Sequence, residues 1–114
     1  MLTIEKLIEY GADTADGLER CLNDESFYLE LIPSALDRAN YERIETSVRS
    51  GDLDHAFEAA HALKGVLGNL ALTPIFTPVA ELTELLRAHS QQDCTALLAT
   101  IRQGQETLNR ICAE

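Results

Sequence analysis

Apolar side chains recur along the chain at spacings of three and four residues, and no stretch shows sustained alternation with a period of two. Such spacing places apolar residues on one face of a helix, so the pattern predicts a helical chain. The predicted helices are short over residues 3–10 and about 14–22, and longer beyond them. We therefore expect an all-α protein, an antiparallel up-down four-helix bundle with short N-terminal helical segments.

Glycine, aspartate and proline mark the predicted helix boundaries in the first half of the chain. Gly11 is a stop signal for the first short helix. Asp24 resembles an N-cap for a long segment that runs toward Ser50. Pro33 lies inside that segment and should bend or interrupt it just before the proline.

In the second half, Asp52 is expected to cap a helix over about residues 53–70. Pro74 and Pro78 each follow a threonine, and either pair could open the next helix. The later start is preferred, because Pro78 inside a helix begun at Pro74 would forfeit a backbone hydrogen bond.

The helix that starts near Pro78 should end around His89, and residues 90–93 form the last predicted loop. Asp93 is expected to cap the terminal helix. A chain of 114 residues without internal repeats is expected to form one domain over residues 1–114.

One stripe of the helix predicted over residues 53–70 combines unusual residues. His61, Lys64, Gly65 and Gly68 lie at spacing 0, 3, 4 and 7, which stacks them on one side. The apolar residues of the same helix point in nearly the opposite direction: Ala56, Ala59, Ala60, Leu63, Leu67 and Leu70. The stripe should therefore face solvent.

The two glycines make this stripe costly, since glycine in a helix interior is less stable than alanine by about 0.8–1.0 kcal/mol. Packing against a neighbouring helix is the usual reason for such glycines, but Gly65 and Gly68 lie opposite the apolar face. Close approach by another protein explains them better. Phe57, one turn before His61, would supply the apolar part of a docking patch.

Composition and charge exclude several classes of protein. Hydrophobic residues make up 46% of the chain and charged residues 25%, as in globular proteins, and no apolar run is long enough to span a membrane. The net charge of −10 disfavours nucleic acid as a partner. Three widely spaced cysteines and the lack of a signal peptide are typical of a reduced, cytoplasmic protein.

Metal binding and hydrolytic catalysis at His61 would each need further residues that the sequence does not supply. Glu58 and His61 form one Glu-x-x-His sequence, whereas a di-iron bundle needs two, with further glutamates, pointing inward. No nucleophile turn and no glycine-rich phosphate loop is present. We therefore expect no metal site, no cofactor and no autonomous kinase activity.

The segment AHALKGVLGNLAL resembles the central motif of histidine phosphotransfer (HPt) domains of two-component phosphorelays. Weaker similarity covers about residues 13–114, including the Gly-Asp turn that leads into the histidine helix. By this resemblance, His61 would accept a phosphoryl group from a receiver aspartate or a histidine kinase and pass it on. Lys64 would steady the phosphorylated imidazole, and the partner receiver domain would bring Mg²⁺.

The resemblance also implies a docking surface of Phe57, Gly65, Gly68 and Asn69. Two positions depart from the family pattern. Ala71 replaces a third glycine found in many relatives. Relatives also often carry a Gln or Glu that hydrogen-bonds the imidazole, and an ungapped count places Thr83 there, with Glu84 beside it.

The partners implied are response-regulator receiver domains and a sensor or hybrid histidine kinase. One alternative is a degenerate adaptor that docks a receiver domain without carrying phosphate. Another is a purely structural bundle, which would leave both glycines unexplained. The start at Met1 without a kinase core favours a free-standing carrier, although a piece of a hybrid kinase would have the same sequence.

Overall fold

The computed structural model describes residues 1–90 and 93–114. Within them the helices are Ile4–Tyr10 (α1), Thr14–Arg20 (α2), Glu25–Leu31 (α3), Arg38–Arg49 (α4), Leu53–Asn69 (α5), Thr73–Arg87 (α6) and Thr95–Ala113 (α7). A short 3-10 segment spans Pro33–Leu36. No strand occurs in this part of the chain, and the loop predicted over residues 90–93 includes two positions outside it.

The four longest helices form the bundle. α5 packs against α4 on one side and α6 on the other, and α7 closes the bundle against α6 and α4. Because α4, α5 and α6 follow one another through short connections, neighbours run antiparallel. The prediction of an all-α, four-helix bundle with short N-terminal helices is confirmed.

Local signals fix most helix ends as predicted. Gly11 ends α1 with a φ of 107°, a left-handed conformation that glycine adopts without a Cβ clash. The carboxylates of Asp24 and Asp52 accept backbone N–H groups at the starts of α3 and α5. Pro33 interrupts the segment after α3, and Asp37, which was not predicted as a cap, opens α4.

The predicted start of α6 at Pro78 is wrong, because the helix begins five residues earlier, at Thr73. The carbonyl of Leu72 accepts the N–H groups of Ile75 and Phe76. This early start seats Ile75 in the core, where it is fully buried. Pro78 forfeits a single backbone bond inside the helix, which core packing offsets.

The C-terminal end of α5 closes in a Schellman motif. The N–H of Leu72 donates to the carbonyl of Leu67, and the N–H of Ala71 donates to that of Gly68. Ala71 has a φ of 54°, a left-handed backbone conformation that favours glycine over alanine.

The N-terminal segments are tied to this end of α5. The hydroxyl of Tyr28, on α3, donates to the carbonyl of Leu70 at 2.7 Å. The N–H of Asp13, which caps α2, donates to the carbonyl of Ala71. These bonds hold α2 beside the histidine helix. Among the described residues, no helix has both the length and the apolar character needed to cross a bilayer.

Candidate functional site

α5 presents the predicted stripe to solvent. His61 and Gly65 are exposed, and the side chain of Lys64 is 30% exposed. The opposite side of the helix is buried in the bundle: Ala56, Ala60, Leu63 and Leu67. The prediction that the imidazole faces outward is therefore confirmed.

The two glycines of the stripe have different surroundings. A Cβ added at Gly65 would meet no atom within 4 Å beyond its own helix. A Cβ at Gly68 would lie 3.2 Å from the ring of Phe76 on α6. The expectation that neither glycine serves packing holds for Gly65 and is wrong for Gly68, since α6 places an aromatic ring against it.

Phe57 contacts the histidine directly. Its ring is stacked on the imidazole of His61, with ring centroids 5.5 Å apart and planes inclined by 21°. The guanidinium carbon of Arg87, on α6, lies 4.9 Å from the centroid of the same phenyl ring. Phe57 is therefore a neighbour of the imidazole and not only a part of the surrounding surface.

Three charged side chains form a row next to this stack. Glu84 lies between two cations, with its Oε1 3.8 Å from Lys64 Nζ and its Oε2 3.3 Å from Arg87 Nε. Such pairs contribute little when they are open to water, and the Glu84 side chain is 59% exposed. Lys64 is thus near His61 but loosely held.

Neither residue expected to orient the imidazole is placed to do so. Thr83 is fully buried, and its hydroxyl donates to the carbonyl of Val79 at 2.8 Å. The assignment of Thr83 is wrong, because its position on α6 faces the core. Glu84 is on the correct side of α6, but its carboxylate is directed toward Lys64 and Arg87.

A groove of about 520 Å³ runs along the stripe, with walls from α2, α5 and α6. Arg20 of α2 lines it and donates to Asn69 Oδ1 at 3.2 Å and to Asp16 at 3.1 Å. Asn69, predicted as a docking residue, therefore also anchors α2. Besides Lys64, the fold brings two more cations to this surface, Arg20 in the groove wall and Arg87 against the ring of Phe57.

The other two histidines have acidic neighbours. His55 Nδ1 lies 2.5 Å from Asp52 Oδ2, and this hydrogen bond raises the pKa of His55 and lowers that of Asp52. His89 Nε2 lies 3.8 Å from Asp54. Within residues 1–90 and 93–114, no group of three or more histidine, cysteine or acidic side chains is arranged to hold a metal ion.

An exposed histidine, with a lysine one turn away, thus lies on the second helix of a four-helix bundle. Comparison with known families shows which class of protein this is. The sequence model of the Hpt domain family matches residues 28–113. The chain belongs to the Hpt domain family, whose function is histidine phosphotransfer in two-component systems.

The match to the family model starts within α3, so α1 and α2 lie before it. It is thus narrower than the resemblance drawn over residues 13–114. Searches of curated proteins and of solved structures find no significant match to the chain.

Proposed function

We propose that this chain is a phosphocarrier that shuttles a phosphoryl group between receiver-domain aspartates, or from a histidine kinase, on His61. The observation that carries the proposal is the exposed imidazole one turn before Gly65, where the backbone has open space above it. A second protein can bring its active site to the ring without meeting a side chain at that position.

The proposed transfer takes place between a ring nitrogen of His61 and the phosphorylated aspartate of a partner. The lone pair of the neutral imidazole attacks the phosphorus of an aspartyl phosphate. A nitrogen–phosphorus bond forms as the phosphorus–oxygen bond breaks, and the aspartate leaves as a carboxylate. The second ring nitrogen loses its proton to water, and transfer to the next receiver reverses these changes.

Lys64 supplies the charge that this step requires. A phosphoryl group spreads negative charge over three oxygens, and a mobile ammonium group one turn away can follow it. Its loose pairing with Glu84 leaves Lys64 available for that role. The Mg²⁺ that neutralises the acyl phosphate is expected on the receiver domain, so this chain needs no cofactor of its own.

The partners are then receiver domains and a sensor or hybrid kinase, meeting in the cytoplasm. Receiver domains are expected to dock over Phe57 and along the groove, which is lined by Gly65, Gly68 and Asn69. The proposed role is to carry phosphate that a kinase or a receiver domain supplies, without a kinase activity of its own.

The test is incubation of the chain with phosphorylated receiver domains of the source organism. We expect a label on the chain that is labile in acid and stable in alkali, and that is absent from His61→Gln. The matched control is His55→Gln, which removes an exposed histidine from the same helix and should label normally. Tight receiver binding with no label would favour the adaptor function instead.

A further inference from the structure

The orientation of His61 needs an explanation, because neither hydrogen-bonding candidate on α6 reaches the ring. The imidazole of His61 instead stacks on the phenyl ring of Phe57. A histidine that turns freely would present its ring nitrogens to a phosphoryl group only part of the time. Some other group has to restrict the plane of the imidazole.

The geometry of the stack is suited to that task. The rings are nearly parallel, with planes inclined by 21°, and the two residues are four positions apart on one helix. Stacking covers a face of the imidazole, whereas the nitrogen lone pairs lie in the ring plane and point from its edge. Phe57 can therefore fix the plane of His61 without blocking the attacking nitrogen.

Phe57 is itself held from the neighbouring helix. The guanidinium of Arg87 lies against its ring, in a cation–π contact that favours one ring position. Arg87 Nε also lies 3.3 Å from Glu84 Oε2, but both side chains are exposed, so this pair adds little to the contact with Phe57. The contacts thus run from α6 through Arg87 and Phe57 to the imidazole.

We propose that Phe57 is the positioning residue for His61, with Arg87 supporting it. The inference rests on the proposed phosphoacceptor role of His61. It changes the role of Phe57 from a docking contact to a residue that acts through the imidazole.

The experiment compares two phosphoryl donors on the full chain, a phosphorylated receiver domain and phosphoramidate. Phosphoramidate is small, so its reaction needs no docking. The imidazole nitrogen attacks its phosphorus, the phosphorus–nitrogen bond breaks, and ammonia leaves and takes up the proton released from the second ring nitrogen.

Phe57→Leu keeps an apolar side chain but removes the ring, and we expect it to slow phosphorylation about 2- to 10-fold with both donors. Phe57→Tyr should restore the rate, since it keeps the stack. Arg87→Gln should slow both reactions by a smaller factor, of about two. Phe27→Leu, which removes a half-exposed phenyl ring from α3, is the matched control and should change neither rate.

A second readout does not depend on phosphate. The ring current of Phe57 should displace the carbon-bound proton resonances of the His61 imidazole, and Phe57→Leu should move them toward free-histidine values. Slowing with the receiver donor alone would show a docking role and overturn the inference, as would unchanged resonances. If the wild-type chain accepts phosphate from neither donor, the proposed function fails and the inference fails with it.

Discussion

The two sides of α5 differ in burial and in the contacts that their side chains make. On the buried side, Leu63 and Leu67 are covered by neighbouring helices and stabilise the bundle. On the exposed side, His61 and Gly65 make few contacts and leave space for another molecule. The residues that stabilise the bundle and those proposed for phosphotransfer therefore lie on opposite sides of one helix, so substitutions should affect the two properties separately.

The largest effect is expected on the buried side. Leu67→Ala should lower the free energy of unfolding by about 2–5 kcal/mol, because Leu67 is fully buried and its removal leaves a cavity. Chemical denaturation measures this change, with Val66→Ala, at a 44% exposed neighbour, as the control that should lose much less. The folded fraction of Leu67→Ala should transfer phosphate at the wild-type rate. A slower rate for that folded fraction would contradict the separation of stability from phosphotransfer.

Gly65→Ala should act in the opposite direction on the two properties. We expect unfolding to cost about 1 kcal/mol more, since alanine favours the helix and its Cβ meets open space. Transfer from a receiver should slow, because the methyl group occupies the approach to His61. Thermal unfolding and single-turnover transfer measure the two effects.

Gly68→Ala is the comparison for that variant. Its Cβ would lie 3.2 Å from Phe76, which must shift by a few tenths of an ångström. We expect a smaller gain in stability than at Gly65. Equal gains at both positions, or normal transfer by Gly65→Ala, would argue against the different roles assigned to the two glycines.

Ala71→Gly should stabilise the protein by up to about 1 kcal/mol, because it relieves a left-handed backbone conformation at the end of α5. Ala60→Gly makes the same chemical change in the middle of the buried side of α5. It should destabilise the protein by roughly 1 kcal/mol. Opposite signs in thermal unfolding are expected, and loss of stability in both variants would refute the strain argument.

The smallest effect concerns the charges beside the exposed side. Glu84→Gln removes the carboxylate that pairs with Lys64, so the ammonium group should be freer to meet a phosphoryl group. We expect phosphorylation to be about twofold faster at low salt, in line with the strength of exposed ion pairs. Glu81→Gln, at an exposed position on the same helix, is the control, and equal acceleration by both would indicate only a change in net charge.

Local patterns account for what the sequence predicted correctly. The start of α5 follows from the Asp52 cap, and the outward position of His61 follows from helical periodicity, because both depend on neighbours along the chain. The break at Pro33 is local in the same sense.

The errors concern contacts between helices. The start of α6 depends on the burial of Ile75, and the role of Gly68 depends on Phe76 crossing over it. Arg20 reaches Asn69 only because α2 is tied to the end of α5. Periodicity shows which side of a helix is apolar, but not which side chain of another helix lies against a given position, so these features could not be predicted.

The central claim is that the imidazole at position 61 receives the phosphoryl group. The most direct measurement is site mapping by tandem mass spectrometry, under neutral conditions, of the wild-type chain after reaction with a phosphorylated receiver domain. The account predicts phosphate on His61 and on neither His55 nor His89. Phosphate on either of those residues, or a receiver that binds and keeps its phosphate, would contradict it.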